Sequence, residues 1–212
     1  MTRRHILKPA TAVFAFATVA AFSVACSSPP PSSSPVDAEA GQTAPAATTP
    51  YQVNTVDGLF PYDVSNPQMV AFQADTVVVG TVTEKLVSTS RMGAIPETQH
   101  KVHVNSVLKG DVGEEIIVSQ TGGISEDTNT LTILDDVPLV EIGSAYVLSL
   151  VFDPAVNFYT VIAFAGQQEI PVDQAKAIEE APQQRGGTAN EPEPVTVMRD
   201  AIADPVDPFT EE

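Results

Sequence analysis

The sequence predicts a mainly β domain: a small antiparallel, partly open Greek-key barrel with short flanking helices, with a β-sandwich as the alternative. Three observations lead there. Between Thr76 and Phe164, about five runs of apolar and β-branched residues alternate with period two. Turn residues separate these runs at short intervals, which favours antiparallel pairing of successive strands over crossover helices. The first long run carries a glycine at its centre, Gly80, where a strand either coils sharply or packs closely against a neighbour.

Taken in order, apolar patterning begins at Leu59-Phe60-Pro61-Tyr62. Asn66 before Pro67 reads as an N-cap with proline in the first helical turn, opening a two-turn helix to Ala74 whose Met69, Val70 and Phe72 would lie on a sheet or close a barrel end. Thr76–Leu86 is the first barrel strand. Gln99–Leu108 follows, with Val102, Val104 and Leu108 expected on one face and Lys101, His103 and Asn105 on the other. Lys109-Gly110-Asp111 turns the chain into a strand at Glu115–Thr121, which Gly122-Gly123 ends. A polar loop at Ser125–Thr130 precedes a short apolar piece, Leu131–Leu134. Ser144–Phe152 presents Tyr146, Leu148, Leu150 and Phe152 as a core face, and Asp153-Pro154 returns it as a hairpin through Asn157–Phe164. Asp173 is expected to cap a last short helix that Pro182 stops. This strand order resembles that of OB-like barrels; the resemblance is one of topology and carries no diagnostic motif.

The first 25 residues read as an address. Arg3, Arg4 and Lys8 precede an uncharged stretch from Ala10 to Ala25, too short for the ~20 apolar residues of a membrane-spanning helix. The stretch ends Ser23-Val24-Ala25-Cys26, and Cys26 is the only cysteine of the chain. The segment resembles the lipobox of bacterial lipoproteins, with Ser23 standing where an aliphatic residue is usual. That resemblance implies cleavage between Ala25 and Cys26 and a diacylglyceryl thioether on the Cys26 sulfur. Two fatty chains suffice for stable attachment, where one is marginal. Ordinary secretion is the alternative. Residues 26–50, rich in Ser, Pro, Ala and Thr, would then be a disordered tether, reaching at most roughly 75 Å at ~3.1 Å per residue. The folded domain is expected over 51–181. Residues 182–212 read as an acidic, mostly disordered tail, with Val195, Met198 and Ile202 marking a weakly docked helix at 194–203.

Charge narrows the choice of partner. The chain carries 10 Lys+Arg against 27 Asp+Glu, a net −17. Removing the leader leaves 7 basic and 27 acidic side chains, a charge of −20 that opposes nucleic-acid binding. One cysteine excludes an intramolecular disulfide.

Few motifs carry chemistry. His100 and His103 lie three apart, so on a regular strand they face opposite ways and cannot share a metal; His100 is expected near a strand end and His103 in solvent. Ser106-Val107-Leu108-Lys109 matches the Ser-x-x-Lys pattern of penicillin-binding proteins, but within a strand and without their downstream motifs. Glu126-Asp127 and Asp135-Asp136 suit Ca²⁺ in chemistry while lacking EF-hand spacing, and Glu114-Glu115 and Glu179-Glu180 read as solvated pairs. With no Trp, a sugar-stacking platform is thinly supplied.

The expectation is therefore a non-catalytic binding or adaptor module anchored through Cys26 on the extracytoplasmic face of the cell membrane. No cofactor is assigned. Its partner would be a protein or envelope component, contacted through loops near Ser88–Glu97 and Gly122–Thr130. One rival is a carboxylate-based hydrolase or metal-dependent enzyme of the envelope, recognisable by two acids facing each other in a pocket. A plain structural spacer is the third reading.

Overall fold

The computed structural model describes residues 51–86, 91, 93, 95–181 and 191–210. The cleavage bond at Ala25, the lipidated Cys26, the tether and part of the expected 88–97 contact loop lie outside the described residues.

Along the chain run β1 (Gln52–Val56), α1 (Pro67–Gln73), β2 (Thr76–Lys85), β3 (Glu97–Lys109), β4 (Glu115–Thr121) and β5 (Gly123–Ser125). A 3-10 turn at Glu126–Thr128 leads to β6 (Thr130–Leu134), then β7 (Ala145–Asp153) and β8 (Phe158–Val161). A second 3-10 turn, Phe164–Gly166, leads to β9 (Gln167–Ile170), α2 (Val172–Glu180) and α3 (Glu193–Ala203).

Five strands close a barrel in the order β2-β3-β4-β8-β7, with β7 pairing back onto β2 from Thr76↔Leu150 to Thr81↔Ala145. The mainly β, OB-like class predicted from the sequence is the class found. Two details differ. The barrel is closed, and it is mixed: β4 and β8 run parallel through Val118↔Tyr159 and Ser119↔Thr160. The parallel pair arises because the chain leaves the barrel after β4 and builds a separate three-stranded sheet, β1-β6-β5, before returning as β7. Within that sheet β1 lies parallel to β6, in register Gln52↔Thr130 to Val56↔Leu134.

Bulges make the curvature. Three register shifts interrupt β2 against β3, one of them between Val79 and Gly80. There the β2 backbone lies so close to β3 that a Cβ on Gly80 would stand 2.5 Å from Val102 Cγ1. Gly80 thus serves both of its expected purposes. The shifts also reset the alternation on β3: Asn105 and Leu108 are the extra residues, so Val104 and Val107, three apart, both pack on the barrel interior. Leu108, expected to face the same way as Val102, packs instead on the outer layer.

The two faces of β2 and β7 feed two cores. Val78, Val82, Val102, Val118, Leu148 and Leu150 fill the barrel. The intervening Val77, Val79, Ala145 and Val147 pack outward under the helices, against Val70, Ala71 and Ala74 at α1, Ala175 of α2, and Val195, Met198 and Ala201 of α3. A strand buried on both faces explains the unbroken Val77-Val78-Val79 run. Phe152, expected in the core, is 37% exposed and meets its cross-strand partner Tyr159 with tilted rings 5.0 Å apart.

The helices bring further corrections. The Asn66 cap forms, its side chain accepting from Gln68 N at 2.9 Å and from Met69 N at 3.4 Å, but α1 buries Val70 and Ala71 while Phe72 is exposed. Asp173 lies inside the first turn of α2, where its charge favours the helix N-terminus, and Pro171 holds the cap position. The C-terminal helix is firmly docked. Met198 is only 2% exposed, Gln68 Nε2 donates to Asp204 O at 2.8 Å, and Tyr62 meets Phe209 edge-on at 6.4 Å. The folded unit therefore includes α3, beyond the expected limit at Ala181. No helix among the described residues is long and apolar enough to cross a membrane.

Candidate functional site

The added sheet and the barrel leave a cleft between them. The end of β1 and the segment after it, from Val56 to Val64, form one wall; Leu134 at the end of β6 and Val137 beyond it form a second; Thr121 and Val161 at the ends of β4 and β8, with Ala163 beyond, complete it. Its volume is about 480 Å³, within the range that holds a drug-sized molecule.

Local chemistry fixes these walls. Gly58 N donates to Asp135 Oδ2 at 2.8 Å, and a Cβ on Gly58 would meet both that oxygen and the Phe60 ring at 2.5 Å. Only glycine lets the wall approach so closely. Asp135 and Asp136 both take positive φ, 46° and 61°, which turns the chain after β6 so that Asp136 Oδ1 accepts from Thr55 Oγ1. A polar floor is supplied by Gln120, whose Nε2 donates to Pro138 O (2.9 Å) and Gln167 Oε1 (2.7 Å), while its Oε1 accepts from Val140 N (2.8 Å). Gln167 Nε2 returns a bond to Pro138 O at 2.9 Å. Phe60 stands edge-on to Phe164 at 6.0 Å, and burial raises the Tyr62 phenol above its ordinary pKa. At the lip Leu59 is 99% exposed. A leucine held open beside an apolar cleft is an interaction feature, whereas scattered exposed leucines elsewhere would need no explanation.

The sequence-predicted residues fall elsewhere. His100 is not at a strand end. It lies inside β3 opposite Val118, faces the barrel interior and is 2% exposed, with Nδ1 lacking a hydrogen-bond partner among the described residues. Burial, aided by the nearby Lys85 charge, lowers its pKa to about 4. His103 lies on the outer surface as expected, its Nε2 3.0 Å from Glu179 Oε1. Asn105 Nδ2 donates to Glu179 Oε2 at 2.8 Å, so Glu179 is a strap from α2 to β3 and not a free solvated acid. Asn105 and His103 together hold its carboxyl below the usual carboxylate range.

Ser106 sits within β3, and Lys109 Nζ donates to the carbonyls of Ala71 and Ala74, closing the C-terminus of α1 where a cation is favoured. The expected loop Gly122–Thr130 is mostly structure: β5, the 3-10 turn and the start of β6. From the other expected loop, Arg91 reaches back. Its Nε meets Glu97 Oε2 at 2.9 Å, one terminal nitrogen meets Asp153 Oδ2 at 2.7 Å, the other donates to Thr160 Oγ1 at 3.0 Å, and the guanidinium lies 4.7 Å from the Phe158 ring centre. Among the described residues no three His, Cys, Asp or Glu side chains gather where a metal could be held. Among the described residues the cleft lining contributes one carboxylate, Asp57, where the hydrolase reading looks for two.

Sequence reasoning missed the cleft as a site. Its one signal was Leu59-Phe60-Pro61-Tyr62, an apolar run with no strand or helix period. No family model matches the chain, and no curated protein sequence matches it.

Proposed function

We propose that this chain is a non-catalytic binding module, displayed outside the cell membrane on a lipid anchor at Cys26, and that the cleft beside Phe60 is where it takes its ligand. The observation carrying the second half is a concave, apolar site with a few polar groups, Gln120, Gln167, Thr121 and Thr160, the two glutamine amides and Thr160 held by hydrogen bonds. Such a lining binds an apolar body and orients it, and among the described residues it offers no nucleophile paired with a base. Support for the anchor is the Ser23-Val24-Ala25-Cys26 sequence, followed by a proline-rich spacer.

Each half has its own test. The neutral fluorophore N-phenyl-1-naphthylamine should bind the purified domain saturably, and Ala163→Trp, which fills part of the cleft, should weaken it at least tenfold. Val137→Arg, placing charge in the other wall, should do the same if the Trp variant folds poorly by circular dichroism. Unsaturable binding, or binding indifferent to both variants, defeats the cleft reading. For the anchor, mass spectrometry of the mature chain should find Cys26 as a diacylglyceryl N-terminus, and Cys26→Ser should leave an uncleaved precursor or release the protein; a mature chain starting elsewhere refutes it.

A further inference from the structure

Charge at the cleft narrows the ligand beyond "apolar". Among the described residues lining it, Asp57 is the one charged side chain, and it is exposed at the rim. Asp135 and Asp136 flank the same rim, bonded to Gly58 N and Thr55 Oγ1. Among the described residues the lining contains no Lys, Arg or His. The Arg91 guanidinium is already engaged by Glu97, Asp153 and Thr160. An acyl carboxylate, a phospholipid headgroup or a nucleotide entering here would therefore meet carboxylates and no compensating cation. It would also approach a body whose charge is −20 once the leader is removed.

Resting on the reading of the cleft as a ligand site, we infer that its ligand is a small amphiphile with an apolar body and an amine head, the body lying along Val161 and Leu134 and the ammonium at the Asp57 rim. Asp57 is the specificity residue. It supplies little affinity, because an exposed ion pair is weak and screened, yet it reverses sign against an anionic head. Selection then comes from discrimination between heads of equal apolar length.

The test uses the folded domain and a matched pair, decylamine and decanoate, each displacing N-phenyl-1-naphthylamine at pH 7. At about 20 mM salt the amine should displace the probe at a roughly tenfold lower concentration than the carboxylate, and at 0.5 M salt the ratio should approach one. Asp57→Asn should cut the low-salt ratio to about threefold or less. A ratio near one in the parent domain, or one that Asp57→Asn leaves at tenfold, overturns the amine assignment while leaving the cleft reading intact. Failure of the neutral probe to bind removes the cleft reading itself, and the two failures are thereby told apart.

Discussion

Acidification from pH 7 to pH 4 is expected to cost the fold about 3 kcal/mol through His100 alone. The side chain is enclosed in the barrel between strands, and desolvation holds its pKa at about 4. In the unfolded chain an imidazole titrates at about 6.5. Between those values the unfolded state binds a proton that the native state refuses, so stability falls as pH falls. The loss begins near pH 6.5, runs at about 1.4 kcal/mol per pH unit, and is complete below about pH 4. Urea unfolding of the parent and of His100→Leu at pH 7 and at pH 5 isolates it. By pH 5 the parent should have lost about 2 kcal/mol more than the variant. At pH 7 the variant should be no less stable, since Leu removes a buried nitrogen that has no partner among the described residues. Parallel losses in the two proteins would mean that His100 is charged or solvated in the native state.

His100 also shows why periodicity alone misplaces a residue. Its neighbours Lys101 and His103 are polar, and nothing local distinguishes an imidazole at a strand end from one inside a barrel. The decisive fact is its partner Val118, eighteen residues away across a turn. Where apolar alternation was dense, reading was easy: the turn at Asp153-Pro154 and the pairing of β7 with β8 follow directly from Tyr146, Leu148 and Leu150. The Asn66 cap was legible because one side chain and one proline define it locally. β1 was not, since its residues are almost wholly exposed and its parallel partner lies 78 positions on. α3 was legible as an amphipathic helix, but acidic, proline-rich surroundings suggested a loose tail. Its docking depends on Val195, Met198 and Ala201 meeting α1 and the outer face of the barrel strands, which no local pattern reveals.

The cleft obeys the same logic in stronger form. Asp57, Gln120, Leu134 and Val161 come from four separate stretches: the β4–β8 pairing sets Gln120 beside Val161, and the excursion that makes β6, with β1 paired to it, adds Leu134 and Asp57. Its legible trace, an aperiodic Leu-Phe-Pro-Tyr, is what a wall segment looks like when it packs against irregular neighbours on one side only.

The second large effect concerns Arg91. Glu97 is a carboxylate only 2% exposed, and it accepts from three donors: Arg91 Nε at 2.9 Å, the Arg91 backbone N at 3.0 Å and Ser119 Oγ at 3.1 Å, while the same guanidinium is tied to Asp153 and Thr160. Arg91→Ala is expected to destabilise the fold by about 3 kcal/mol, because it strands a buried charge with a backbone N–H and one hydroxyl. The low end of the range for a broken buried pair applies, since the Arg91 side chain is 30% exposed and water reaches that side. Arg91→Lys should recover less than half, because an ammonium cannot span Glu97, Asp153 and Thr160 at once as the planar fork does. Glu97→Gln, keeping shape and removing the charge, should cost less than Arg91→Ala, and adding it to Arg91→Ala should restore about 1–2 kcal/mol of what the first substitution removed. Denaturant midpoints for the two single variants and the double close the cycle. Strictly additive losses would show that the carboxylate and the guanidinium do not depend on each other. A restored double variant would show that the penalty lies in the unpaired charge, and that Arg91 is there chiefly to neutralise Glu97.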